Sequence, residues 1–352
     1  MRYRQYCYPV RLILGQLSEL DWIALLAVVL LAILQAGAVA GASYFDGTWW
    51  LPHGGKGFLN HYGVWAILVA DPCALIATAI AWRQFKVAMM ELPAGGNPEH
   101  SLAVLRLISP YIRFVKLRGN GIHLYLLLVM VGLLGWVNNI YQTTDPVRFF
   151  GHKVFDSTEF MYGFLANKFV LFVSWALVYP ACGFVTLSMC LSTFLILQKM
   201  KSQRLMRPTV FHPDGCYGYS ALGMLNVCLM VPFVIAFVVL FSILITHARL
   251  YASIVVPLVF LTLVFLSVSV VTIYPIVSQT KKVEGDLYDK LRFQSRNVRS
   301  LDFRTQLSFG VERLCFALSQ GSPYSKTSRA MLAVLRAIPV TITVVKLVLP
   351  LV

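Results

Sequence analysis

Charged residues are scarce in this chain, and long parts of it have none. Only 13% of the 352 residues are Asp, Glu, Lys or Arg, whereas about 25% is usual for a soluble domain. A run of about 20 apolar residues in a helix is enough to cross a bilayer. This scarcity argues against an ordinary soluble protein. Six stretches lack all four residue types, except for Asp71 in the second of them: Trp22–Phe45, Tyr62–Trp82, Asn120–Thr144, Phe169–Gln198, Gly215–Ala248 and Leu250–Thr280.

The strict apolar–polar alternation of a membrane β-barrel is also missing, and the apolar runs are much longer than the roughly 9–11 residues of a barrel strand. The sequence therefore predicts an all-α polytopic membrane protein with six transmembrane helices. We expect a cytoplasmic N-terminal segment (1–21), a transmembrane domain (22–280) and a helical tail (281–352) that is cytoplasmic or interfacial.

Two boundaries have alternative interpretations. Leu25–Leu34 and the small residues after it resemble a signal peptide, but the acidic residues before this run favour an uncleaved first helix. Residues 331–352 are apolar again, yet they contain Arg336, Pro339 and Lys346. We expect them to lie at the interface or to pack on the bundle, with a seventh span as the alternative.

Recognisable catalytic and cofactor motifs are absent. The seven Cys residues are scattered without a Cys-x-x-Cys pair. Cys73, Cys182, Cys190 and Cys228 fall well inside predicted spans, where a thiol is mostly a small apolar side chain. There is no phosphate-binding loop, no His-Glu-x-x-His, no Gly-x-Ser-x-Gly and no dinucleotide fingerprint. We therefore expect a non-enzymatic protein with no metal and no cofactor.

Positive charge is abundant but unevenly placed. The net charge is +15, and 25 of the 30 Lys and Arg residues fall in the segments that face one side when six spans are threaded. This bias predicts that both termini are cytoplasmic. It also makes the lipid bilayer and its anionic lipids the expected partners, and no nucleic acid is expected. Loop 83–119 carries four basic residues in an amphipathic pattern that we expect Pro110 to break into two short interfacial helices: Arg106, Arg113, Lys116 and Arg118.

Asp71 is the most informative polar residue, because it lies near the middle of the second apolar stretch. A charge there costs at least about 2.5 kcal/mol on insertion scales, so we expect Asp71 to face the bundle interior, protonated or paired. Pro72 removes a backbone donor beside it. One hypothesis is a proton or cation site. The other is a structural Asp that hydrogen-bonds a neighbour such as Asn226.

A second candidate site is the segment 211–219, which leads into the fifth stretch and reads Phe-His-Pro-Asp-Gly-Cys-Tyr-Gly-Tyr. Pro213, Gly215 and Gly218 favour a turn, and Asp214 is suited to cap the following helix. The alternative is a functional role in which His212 and Asp214 form a pH-sensitive pair, an acid/base dyad or, with Cys216, a weak metal site.

This segment resembles a His-Pro-Asp loop of uncharacterised bacterial polytopic membrane proteins. The match is carried by His212, Pro213, Asp214 and Gly218, whereas Tyr217 and Tyr219 replace the Gly and Leu of the resembling loop. The Pro-punctuated apolar C-terminus is similar as well, so the resemblance covers about the last 150 residues. It implies a location in the bacterial inner membrane and no particular activity.

Three classes of function remain compatible with these residues. The first is an ion conduit or membrane effector, homo-oligomeric in one version, with Asp71 on its path and the tail as a gate. The second is a secondary transporter that uses Asp71 as its coupling acid, although no inverted repeat supports it. The third is a lipid-headgroup enzyme that uses His212 and Asp214 at the inner interface.

Overall fold

The computed structural model describes most of the helical part of the chain. The described residues are 22–50, 57–92, 98–117, 120–144, 148–149, 152–153, 168, 172–206, 208, 216–246, 263, 267, 270, 274–297 and 324–348.

Nearly all of this part is helical, which agrees with the all-α prediction. A two-residue antiparallel strand pair joins Arg148–Phe149 (β1) to His152–Lys153 (β2), and a single 3₁₀ turn covers Phe58–Asn60. The helices are α1 (Trp22–Phe45), α2 (Tyr62–Glu91), α3 (Pro98–Val115), α4 (Asn120–Thr144), a π-helical turn (Val173–Val178) that continues as α5 (Tyr179–Ser202), α6 (Ser220–Thr246), α7 (Tyr274–Asn297) and α8 (Lys326–Val348).

Five helical stretches of the described residues are long and apolar enough to cross a membrane. The third runs over parts of both α3 and α4. The sixth predicted span, Leu250–Thr280, lies mostly outside the described residues, although α7 begins within it. The five stretches are Val28–Phe45, Tyr62–Glu91, Glu99–Leu134, Val173–Ser202 and Ser220–Val239.

The helix α2 forms the centre of the bundle and packs most extensively against α6. The two helices are antiparallel, since Val64 near the start of α2 clusters with Val239, whereas Gln84 near its end donates a 3.2 Å hydrogen bond to the carbonyl oxygen of Ala221. Phe85 and Leu225 are fully enclosed in the main core between them. This arrangement places α2 inside the bundle, where its single Asp is shielded from lipid.

The outer surface of the bundle is apolar. On α4, the side chains of Leu127 and Leu134 are 59% and 64% exposed, and on α1 that of Leu34 is 68% exposed. Gln35, next to Leu34, is buried. Exposed leucines around buried polar groups are the reverse of a water-soluble surface and are expected where the outer face contacts hydrocarbon. The protein is therefore membrane-embedded.

Two sequence-based boundaries were wrong. The second span was expected to end at Trp82, but α2 continues to Glu91 because Phe85 and Met89 remain packed in the core beyond the apolar run. Pro110 was expected to break the amphipathic segment, yet α3 runs through it as one helix. The buried side chains Val104 and Ile108 hold this helix against the bundle, so that packing outweighs the loss of one backbone donor.

The C-terminal helix α8 packs against α6, and Leu332 joins the main core. It is not among the five stretches that qualify as membrane spans. The tail boundary expected at residue 281 falls inside α7, which continues from Tyr274 to Asn297 without interruption.

Candidate functional site

Asp71 lies in the first half of α2 and is 1% exposed. Pro72 follows it inside the helix. Because proline has no N–H group, the carbonyl group of Leu68 loses the donor that residue 72 would otherwise supply. Apolar residues on both sides of this position keep the helix inside the bundle. The missing backbone hydrogen bond therefore lies in the membrane interior, beside the carboxyl group of Asp71.

Two donors from other helices converge on one oxygen of this carboxyl group. Gln35 Nε2 of α1 donates a 2.8 Å hydrogen bond to Asp71 Oδ2, and Ser174 Oγ donates a 2.6 Å bond to the same atom. Gln35 and Ser174 are 3% and 0% exposed. We refer to these three residues as the Asp71 cluster. It ties α1, α2 and the π-helical turn together at one depth.

The other oxygen of the carboxyl group is buried and has no hydrogen-bond partner among the described residues. No Lys, Arg or His side chain of the described part hydrogen-bonds Asp71 either. A buried ionised carboxylate is costly without a cation or a full set of donors. Asp71 Oδ1 is therefore placed to carry a proton or to receive an incoming group.

The π-helical turn places Ser174 against Asp71. Such turns are rare and occur frequently at functional sites. The carbonyl oxygen of Trp175 in this turn lies against Gly132 of α4, where an added Cβ atom would stand only 2.0 Å from that oxygen. The close approach depends on the missing side chain of Gly132, which shows that the backbone of the turn is held by packing from outside.

Further polar side chains lie below the Asp71 cluster toward the ends of α2 and α5 that carry Lys and Arg. Thr78, two turns after Asp71, is 8% exposed, and its hydroxyl group has no hydrogen-bond partner among the described residues. Thr186 and Thr193 follow on the same face of α5, at 2% and 1% exposure, and their hydroxyl groups have no partner among the described residues. These residues form a discontinuous row of buried polar side chains inside an otherwise apolar bundle.

Asn226 does not belong to the Asp71 cluster. Its Nδ2 atom donates a 2.7 Å hydrogen bond to the hydroxyl group of Tyr324, whereas the hydrogen bonds of Asp71 in the described part go to Gln35 and Ser174. The alternative prediction, a hydrogen bond between Asp71 and Asn226, is therefore wrong. Where α2 packs on α6, Gln84 contacts Ala221, and the amide group of Asn226 reaches Tyr324 instead of Asp71.

Most of the second candidate site, His212, Pro213, Asp214 and Gly215, lies outside the described residues. Its end is described: Tyr217 and Gly218 have φ angles of 60° and 81°, and the N–H group of Tyr219 donates a 3.0 Å hydrogen bond to the carbonyl oxygen of Cys216. Two left-handed residues inside such a bond form a tight turn, and this turn leads directly into α6.

Of the four predicted lipid-facing basic residues, Arg106 and Arg113 lie on α3 and Lys116 follows its last residue, and all three side chains are exposed. Arg118 is outside the described residues. In the described part no group of three His, Cys, Asp or Glu side chains is arranged to hold a metal ion.

Sequence reasoning missed two members of the Asp71 cluster. Gln35 is the only amide side chain in its apolar stretch, and a lone Gln in a span was a usable signal, since uncompensated polar groups in a membrane seek partners. Ser174 gave no comparable signal, because Ser is common in membrane helices and its partner depends on the π-helical turn.

The chain matches no family model, no curated protein and no solved structure. A functional hypothesis therefore depends on the geometry of these residues alone.

Proposed function

We propose that this protein is a non-enzymatic, proton-translocating protein of the bacterial inner membrane, with both termini in the cytoplasm, and that Asp71 binds and releases the proton. The observation that carries the proposal is the carboxyl group itself. It is enclosed by three helices, it accepts two hydrogen bonds at Oδ2, and its Oδ1 atom has no partner among the described residues. A proton on Oδ1 removes the charge that the site does not otherwise compensate.

The chemistry of the neighbouring groups favours a proton over a metal cation. Gln35 and Ser174 both present hydrogen atoms to Asp71, so they act as donors and offer no oxygen shell at this position. Mg²⁺ and Ca²⁺ need about six or more oxygen ligands. One free carboxylate oxygen falls far short of that number, whereas a single proton needs only one acceptor atom.

Two helix irregularities at the same depth supply a means of changing access to the site. Pro72 weakens the backbone of α2 beside Asp71, and the π-helical turn carries Ser174. A change from π-helical to α-helical hydrogen bonding would rotate Ser174 relative to Asp71 and remove one of its two donors. We assign the exit of the proton to the row of buried polar side chains from Thr78 toward Thr193.

This geometry favours the transporter hypothesis over the open conduit. Asp71 is 1% exposed, so a proton bound there is shielded from water. In an open conduit the carboxyl group would face water continuously. The headgroup-enzyme hypothesis rests on His212 and Asp214, and no contact of the described residues supports it.

The direct test is a pH jump on proteoliposomes adsorbed to a solid-supported membrane. We expect the wild type to give a transient current as protons enter the site. Asp71→Asn should give the trace of protein-free liposomes, because the amide has nearly the same shape but does not exchange a proton. Cys73→Ala is the matched control, since Cys73 lies two residues away on the same helix with an exposed side chain, and it should behave as the wild type.

The shape of the current separates the alternatives. A transporter gives a transient that decays in the absence of its solute, whereas a conduit sustains the current as long as the gradient lasts. A wild-type trace identical to that of protein-free liposomes, or an Asp71→Asn trace identical to that of the wild type, contradicts a proton site at Asp71.

A further inference from the structure

A groove runs between α3 and the last turns of α5, at the end of the bundle that carries most of the Lys and Arg residues. It has a volume of about 810 Å³. Apolar and aromatic side chains of α3 and α5 form most of its walls, with two cationic side chains among them. Its lining residues are Pro110, Tyr111, Arg113, Phe114, Asn120, Leu191, Ser192, Leu195 and Lys199.

The two cations of the groove have no carboxylate partner among the described residues. In the described part of the chain neither Arg113 nor Lys199 forms an ion pair with Asp or Glu. The ammonium group of Lys199 instead lies 5.3 Å from the ring centroid of Tyr111 on the opposite wall. This cation–π contact holds a positive charge across the groove while leaving its N–H groups available to an anion.

A buried hydroxyl group marks the same groove from the side of α5. Ser192 is 0% exposed, lines the groove, and has no hydrogen-bond partner for its Oγ atom among the described residues. Buried polar atoms in folded proteins are nearly always paired. An unpaired hydroxyl group on the wall of the groove is a donor that an acceptor oxygen of a bound molecule would satisfy.

We infer that this groove is a binding site for the phosphate of an anionic phospholipid from the leaflet on the Lys- and Arg-rich side. Arg113 and Lys199 contact the phosphate oxygens, the apolar walls around Leu191 and Leu195 take the upper part of an acyl chain, and Ser192, which is deeper than Lys199, donates to an ester carbonyl oxygen of the lipid. Guanidinium and ammonium groups at a membrane surface are the usual ligands of lipid phosphates. The inference does not depend on a role for Asp71.

A lipid is favoured over free inorganic phosphate because of the walls. A soluble anion gains nothing from the apolar side chains that make up most of the lining, whereas a phospholipid fills them and presents its phosphate at the level of Arg113. The groove also lies beside α3, whose exposed Leu102 and Leu105 place its outer face in contact with lipid.

The experiment is a titration of the detergent-solubilised protein with dioleoyl phosphatidylglycerol, with bound lipid counted by native mass spectrometry and dioleoyl phosphatidylcholine as the zwitterionic comparison. We expect a preference for the anionic lipid. Lys199→Gln should weaken the affinity for the anionic lipid about fivefold, because one basic residue near an anionic lipid contributes a binding free energy of about that size. Ser192→Ala should weaken it by a smaller factor without changing the fold.

The matched control is Lys116→Gln, which removes one positive charge just after the end of α3, in a second groove that Arg113 also lines but Lys199 does not. It should keep the wild-type half-saturation. Equal losses in Lys199→Gln and Lys116→Gln would overturn the inference, because they would show a diffuse charge effect. It would equally be overturned if the two lipids bound alike, or if inorganic phosphate alone displaced the phosphatidylglycerol.

Discussion

The side-chain amide of Asn226 donates a 2.7 Å hydrogen bond to the hydroxyl group of Tyr324, across 98 residues of sequence. Asn226 lies in the second turn of α6, and Tyr324 precedes α8 by two residues. Both side chains are buried. The bond therefore fixes the start of the C-terminal helix to a transmembrane helix of the bundle.

Tyr324→Phe removes this hydrogen bond while keeping the ring. We expect a loss of about 1 kcal/mol in the free energy of unfolding, because the amide group of Asn226 loses one partner in a buried position. Denaturant unfolding in detergent measures it. Tyr274→Phe is the control, since the side chain of Tyr274 is 59% exposed, and it should leave the stability unchanged. Equal stabilities for Tyr324→Phe and the wild type would contradict the structural role of this bond.

Stability should also depend on alkaline pH through the same residue. Burial raises the pKa of Tyr324 to about 12, against the smaller lowering effects of Asn226 and Arg336. The folded protein thus retains a proton that the unfolded chain releases near pH 10. The stabilising contribution is complete below about pH 10 and is lost as the pH rises toward 12. The difference between wild type and Tyr324→Phe should shrink over this interval, and a constant difference would contradict the assignment.

The contact between α4 and the π-helical turn should be intolerant of one methyl group. Gly132→Ala places a Cβ atom 2.0 Å from the carbonyl oxygen of Trp175, so the backbone must shift. We expect a cost of about 1–3 kcal/mol, as is typical of overpacking. Gly183→Ala is the control, because an added Cβ atom there meets nothing within 4 Å, and it should be neutral or slightly stabilising. The two variants are compared by thermal unfolding. Equal midpoint temperatures would contradict the close contact between Gly132 and Trp175.

Ser174→Ala should destabilise the protein more than another buried Ser→Ala substitution in the same helical stretch. It removes one of the two donors to Asp71, and an undersatisfied buried group costs about 1–3 kcal/mol. Ser188 is also 0% exposed, but its hydroxyl group bonds the carbonyl oxygen of Val185 in its own helix, so Ser188→Ala should have little effect. The comparison is made by denaturant unfolding. An equal loss in the free energy of unfolding for both variants would contradict a stabilising role of the hydrogen bond from Ser174 to Asp71.

The apolar stretches predict the helices closely where lipid alone decides the boundary. The predicted limits of the first and third spans, Trp22–Phe45 and Asn120–Thr144, coincide with α1 and α4. The end of α2 was missed because Arg83 and Lys86 interrupt the apolar run, although the buried face of Phe85 and Met89 continues the helix. An apolar run in the sequence indicates which residues contact hydrocarbon. The end of a helix also depends on how its side chains pack against neighbouring helices.

The site was only partly predictable for the same reason. The cost of a charge in hydrocarbon identified Asp71 from the sequence alone. Its partners Gln35 and Ser174 depend on how α1, α2 and the π-helical turn are rotated about their axes. The apolar stretches are hydrophobic on all sides, so they contain no periodicity that could have indicated this rotation.

Infrared difference spectroscopy of the membrane-reconstituted protein tests most directly whether Asp71 exchanges a proton. A protonated carboxyl group has a carbonyl stretch that is separate from the bands of carboxylates and peptide groups. The wild type should show one such band that disappears reversibly as the pH is raised. The band should be absent from Asp71→Asn and retained in the control Asp46→Asn, which changes an Asp just beyond the end of α1. A wild-type spectrum without a titrating carbonyl band, or a band that persists in Asp71→Asn, would contradict the account.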